Sequence, residues 1–308
     1  MSMTAKEAVH VDNAATDSYG ALLFRKDPTG KTAGVMERVC DLAPEDYERY
    51  SGAYKVMFDI MVANMFTYVK QSSIDLFETI KKASDAMRDG EISPMQPDGM
   101  VEWGTRLRTA ILAVCSSIHH HQDQSYIEVK RKFGKDSPEH RKVKAAFAEI
   151  YDDCFGYRYL YKLRNTMVHY TMEAAAMRGE AQLYKGEKIA FVDMQMDRSA
   201  LLDMKDHLNA PLKEELRSLP GDPSIHEMVG EAVPRLAKTN RELLAILYPE
   251  IDDLCAIVRE FDALFDGQKG VRAVIHQQSP ELRPPFRTGL TSWADNVIAN
   301  AHAAKERS

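Results

Sequence analysis

Arg164, Asn165 and His169 fall within six positions in the stretch YKLRNTMVHY, residues 161–170. On a helix, Asn165 and His169 are four apart and share a face. Extending that row backward adds Tyr157 and Tyr161, giving a stripe of hydrogen-bonding groups at i, i+4 spacing. Arg164 lies roughly 140° around the helix from His169, but a guanidinium on a long flexible stem can reach the same cleft. Leu160, Leu163 and Met167 fall on another side and would face a core.

These residue types suit metal-independent cleavage of RNA. The ribose 2′-OH attacks the adjacent phosphorus, so a base must take its proton and an acid must protonate the leaving 5′-oxygen. Histidine titrates near neutrality and serves either role. Charge building on the non-bridging oxygens is met by a planar, permanently charged arginine. Asn165 could orient the His169 ring or bind the phosphate. One histidine does not readily act as both acid and base, so a symmetric pair of chains would complete the site. Tyr170 could stack on a base or simply pack.

The elements that must position these groups read as mainly α. From APEDYERY onward, apolar residues recur at three- and four-residue steps for many turns. A loop, RDGEISPMQPDG, separates this run from a second helix, MVEWGTRLRTAILAVCSSIHHH. Ser137-Pro138-Glu139 opens a third as an N-cap followed by proline at the first helical position. The helix GYRYLYKLRNTMVHYTMEAAAM then carries the motif. In AQLYKGEKIAFVDMQMD the period changes, and YKGEK suits the turn of one small β-hairpin. Further helices follow, interrupted at Pro234 and Pro249, then a β-prone run GVRAVIHQQ, a proline-rich loop and a last helix.

This divides the chain into an extension over 1–42 that is loosely ordered or carries a short strand at GALLFRK, a helical bundle over 43–215 holding the motif, and a C-terminal helical region over 216–308. The last of these is open to packing on the same core.

The run KRKFGKDSPEHRKVK gathers Lys130, Arg131, Lys132, Lys135, Arg141, Lys142 and Lys144 against Asp136 and Glu139. In a chain of net charge −6 it is the strongest local positive field. Because it immediately precedes the motif helix, Lys130, Arg131, Lys132, Arg141 and Lys142 are expected to guide an RNA backbone. Tyr157, Tyr161 and Tyr170 are expected to line the cleft.

Other chemistries are poorly supported. DPTGKTAG looks like a phosphate-binding loop, but Arg25 stands where that motif needs its first glycine. His119-His120-His121 point about 100° apart on a helix and cannot converge on one ion, so they are expected to form a polar helix end. Cys40, Cys115, Cys154 and Cys255 are scattered, with no paired spacing, which suits a reducing compartment. No secretory signal and no membrane-length apolar stretch is visible. The expectation is a cytoplasmic protein with no cofactor, no metal and no membrane partner.

Taken as a whole, FGYRYLYKLRNTMVHY, residues 155–170, resembles the signature of the HEPN superfamily: Arg-x(4–6)-His, commonly with Asn after the Arg, late in a helical bundle. The resemblance is firm over 155–170 and extends to the helical organisation of roughly 45–215. It implies a HEPN-like bundle in which Arg164 and His169 are catalytic and Asn165 is an auxiliary polar group. Many members are endoribonucleases of toxin–antitoxin, abortive-infection and other phage-defence systems. They pair through the motif helix into a homodimer with one composite site. RNA, a second copy of the chain, and an antitoxin or regulatory protein are thus the expected partners. Some relatives only bind, so a non-catalytic helical module for nucleotide, RNA or protein is the alternative.

Overall fold

The computed structural model describes residues 17–27, 29–31, 34–204, 208–277 and 288–305. The first two elements are strands, β1 (Ser18–Arg25) and β2 (Val35–Leu42). The long apolar-periodic run that follows is two helices, α1 (Pro44–Ala63) and α2 (Met65–Asp89). They break at Asn64, whose side chain accepts the Phe66 N–H at 3.0 Å and so satisfies an orphan donor of the new helix. Gly90, at φ 91°, ends α2 in the left-handed conformation that glycine adopts without strain.

Helix α3 (Pro97–Phe133) runs 37 residues, well past the histidines that the sequence pattern placed at its end. The N-cap expected at Ser137 is present: its hydroxyl accepts the His140 N–H at 3.1 Å to start α4 (Pro138–Asp153). The motif helix is α5 (Phe155–His169). It stops eight residues short of the expected end at Met177. The Tyr170 and Thr171 N–H groups both close on the Thr166 carbonyl, and a single 3-10 turn, Met172–Ala174, leads into β3 (Ala175–Tyr184). Alanine is a strong helix former, but tertiary context overrides propensity, and the buried apolar face of β4 (Glu187–Met196) supplies the competing interaction. Ala175 pairs with Met196 and Met177 with Met194. The hairpin expected at YKGEK is this one, turned by Lys185 and Gly186 at φ 51° and 85°. The chain continues through α6 (Arg198–Asp203), α7 (Ala210–Ser218), α8 (Ile225–Leu247), α9 (Ile251–Ala263), β5 (Val271–Gln277), β6 (Thr288–Ser292) and α10 (Asp295–Lys305). Pro234 is held inside α8, and Pro249 separates α8 from α9.

The chain divides into two compact units, 62–249 and 1–61 with 250–308. In the first, α2, α3, α4, α5 and α8 surround a core that includes Leu76, Leu107, Ile111, Phe147, Leu160, Leu163 and Leu236. The β3–β4 hairpin lays Val192 and Met194 on that core. It comes so close to α2 that a Cβ on Gly179 would lie 2.2 Å from the Met87 methyl.

The second unit corrects the expected domain plan. The short strand allowed for at GALLFRK is β1, but the extension holds a second strand as well, and residues 18–25 and 35–42 form half of a four-stranded antiparallel sheet in the order β2-β1-β5-β6. Residues 1–16 lie outside the described residues. The C-terminal region does not stay together either: 216–249 completes the helical unit, whereas 250–308 joins the N-terminal strands. Burial of Leu23, Tyr54, Met57, Phe261, Phe265 and Trp293 accounts for this pairing of chain ends, with Tyr54 stacked on Trp293 at 4.7 Å. The protein is mainly α, with more sheet than one hairpin.

Candidate functional site

The motif helix is clamped before it reaches the motif. Gly156 approaches α8 so closely that a Cβ there would sit 2.3 Å from the Met228 carbonyl oxygen, and its N–H donates to Glu231 Oε2 at 2.8 Å. Arg158 donates to the Tyr151 and Asp152 carbonyls at the end of α4 and pairs with Glu215 at 2.6 Å. The Tyr159 hydroxyl donates to the same Glu215 at 2.7 Å. Leu160, Leu163 and Met167 are buried, so the expected packing face is the one observed.

Two contacts and the reach of one charge fix the direction of α5 against α3. Tyr157 donates its O–H to Gln122 at 3.2 Å. One turn on, Tyr161 stacks on His119 with ring centroids 3.6 Å apart and planes within 15°. Beyond that, the charge of Arg164 acts on Cys115 and His119. As α5 advances its partners retreat along α3, so the two helices run antiparallel.

Of the expected row, Asn165 and His169 are placed as the spacing required. Arg164 Nη1 donates to Asn165 Oδ1 at 3.1 Å, so the asparagine holds the guanidinium rather than the histidine ring. Arg164 Nε is buried without a hydrogen-bond partner. His169 is exposed on the last residue of α5, its ring unbonded among the described residues. Tyr170 follows it, 56% exposed. Tyr161 is half-buried beside Arg164.

Tyr157 corrects the expectation of a cleft-lining tyrosine. It is fully buried, and burial pushes its phenol well above the ordinary range, so it is part of the core. The row is wet only from Tyr161 onward.

The basic run is likewise placed away from His169. It occupies the end of α3, the turn after it and the start of α4, whereas His169 falls level with about residue 111 of α3. At about 1.5 Å per residue the separation from 130–132 is about 30 Å. Lys132 is also occupied: its ammonium donates to the Leu247 carbonyl and lies 4.6 Å from the Tyr248 ring centre, capping α8. Arg141 donates to the Asp136 carbonyl. Lys130, Arg131 and Lys142 are exposed.

His119 is the residue that the pattern reading missed. It and His121 are 8% and 2% exposed in the middle of α3, not at a polar helix end, and only His120 faces solvent. The signal was present: Ile111, Cys115 and His119 are spaced by four, and Val114, Ile118 and His121 by four and three, so both histidines continue apolar rows. His119 Nε2 lies 2.8 Å from the Tyr161 carbonyl, which accepts only, so that nitrogen carries the proton. Burial holds the His119 pKa down and the Arg164 charge adds to this, against the upward pull of the Tyr161 carbonyl. His121 Nε2 pairs with Asn240 Oδ1 at 3.1 Å, and burial lowers its pKa to about 4. No group of three or more potential metal ligands occurs among the described residues.

The motif helix thus carries a guanidinium paired with a carboxamide and, one turn on, an exposed imidazole followed by an exposed aromatic ring. The described residues contain no helix long and apolar enough to cross a membrane. Comparison with protein-family models, curated proteins and solved structures returns no match.

Proposed function

We propose that the chain is a metal-independent endoribonuclease built on a HEPN-like bundle, acting in growth arrest or phage defence. The observation that carries this reading is the Arg164–Asn165 pair held on a clamped helix, with an exposed His169, unbonded among the described residues, one turn on. Arg164 neutralises charge on the phosphate in the transition state, and Asn165 fixes its fork. His169 transfers a proton, and a second copy of the chain, meeting the first through the motif helix, supplies the complementary acid or base. The 2′-OH oxygen bonds to phosphorus as the 5′-oxygen leaves, giving 2′,3′-cyclic phosphate and 5′-hydroxyl ends. The test is incubation of the purified chain with RNA in EDTA. Cyclic phosphate ends that vanish in His169→Ala are expected, and cleavage abolished by the chelator would contradict the reading.

A second reading is supported by the separation of about 30 Å between His169 and the basic run. In it the chain is a non-catalytic module that holds RNA or a partner at the Lys130–Arg131 end, and His169→Ala changes nothing.

A further inference from the structure

Among the described residues, the outer edge of β3 pairs with no strand. In the β3–β4 ladder Tyr184 faces Glu187 across the two-residue turn, so alternate residues from Tyr184 back to Ala176 point their backbone groups toward β4. Met177, Gly179, Ala181 and Leu183 therefore point theirs outward. The equivalent edge of β4 is occupied, since Val192 N–H donates to Ser84 Oγ at 3.0 Å and Met196 N–H to the Pro223 carbonyl at 2.9 Å. On β3, Arg108 takes the Ala175 carbonyl at 3.1 Å, and the strand from Arg178 to Tyr184 is exposed. The hairpin also shows Leu183, Tyr184 and Phe191 at 78%, 55% and 62% exposure.

We infer that this edge pairs with the same edge of a second copy, strand β3 antiparallel to strand β3, about a two-fold axis at Gly179. The charges choose the register. With Gly179 opposite Gly179, the outward-pointing pairs are Met177 with Ala181 and Gly179 with itself, and their backbone groups complete the ladder. The intervening pairs, where side chains approach most closely, are Arg178 with Glu180 of the second copy, twice. A slip of two residues, which moves the axis by one position, sets Glu180 against Glu180 in one direction and Arg178 against Arg178 in the other. Charges that guard an edge repel a second copy in every register; this pair repels it in the neighbouring ones and attracts it in one. The Lys185–Gly186 turn of each hairpin then falls beside Glu173 of the other copy. The two Ala175 residues end about 25 Å apart, so this surface is distinct from any contact between motif helices, and it stands independently of the ribonuclease reading.

The test uses single charge reversals in the full chain and sedimentation at micromolar loading. Arg178→Glu and Glu180→Arg should each halve the mass of the wild-type assembly while helical circular dichroism is unchanged. Mixing the two variants restores opposite charges at both cross-strand positions, so the mixture should recover the wild-type mass as a one-to-one complex. A wild-type chain that sediments as a monomer would overturn the proposal. So would variants that keep the wild-type mass, or a mixture that stays dissociated.

Discussion

His119 and Tyr161 are bonded twice: their rings stack at 3.6 Å while the His119 Nε2–H reaches the Tyr161 carbonyl at 2.8 Å. The first contact needs an aromatic ring at 161 and the second needs only backbone, and no hydrogen bond engages the Tyr161 hydroxyl among the described residues. Tyr161→Phe should therefore cost under about 1 kcal/mol, and Tyr161→Ala about 2–3 kcal/mol. Urea unfolding of the three chains measures the difference. Equal losses in Phe and Ala would show that the hydroxyl, not the stack, holds α5 to α3.

Gly156 sets how closely α5 approaches α8. In Gly156→Ala the new methyl meets the Met228 carbonyl at 2.3 Å, and backbone must move. A loss of about 1–3 kcal/mol is expected, read as a fall in unfolding temperature, with RNA cleavage falling further because the motif helix tilts. An unchanged melting temperature would mean that α8 yields freely.

Acid should weaken the fold through its buried histidines. His121 is charged in the unfolded chain below about pH 6.5 but holds off protonation to about pH 4 when folded. Its contribution is therefore fully present above pH 6.5 and drains away as the pH falls toward 4, by about 3 kcal/mol if the whole shift is expressed. His119, whose pKa is lowered too, acts in the same direction. Denaturant midpoints at pH 7.5 and 4.5 test this, and His121→Gln should lose most of the drop. A midpoint that does not change with pH would mean that the ring is solvated.

If His169 acts on RNA as proposed, the basic run is too far from it to hold the nucleotides being cleaved. Lys130→Ala with Arg131→Ala should leave kcat/KM on a short RNA within about twofold, while the affinity for a long RNA falls and its salt dependence flattens by about two counterions. A large loss on the short substrate would place the reactive phosphate at the other end of α3.

The local signals in the sequence were sound where local physics decides the structure. The Ser137-Pro138 start of α4, the Lys185–Gly186 turn and the buried Leu160-Leu163-Met167 face all follow from neighbours a few residues away. Long-range pairing was not legible. β1 pairs with β2 on one side but on the other with β5, about 250 residues later, and neither β1 nor β5 carries a signal naming the other. The same limit hid the end of α5, where Ala175 and Met177 answer to Met196 and Met194. Of the site, the Arg164–Asn165–His169 spacing could be read directly. The burial of Tyr157 and the seat of His119 depend on which face α3 presents, which one helix alone does not reveal.

In the proposed reaction His169 and Arg164 act together on RNA. The most direct measurement is RNA cleavage by the purified chain in EDTA, with product ends mapped, beside His169→Ala and Arg164→Ala chains of unchanged circular dichroism. Cyclic phosphate ends from the wild type, with rates lower by about 100-fold or more in each variant, are predicted. Intact RNA from all three chains, or equal cleavage by all three, would contradict it.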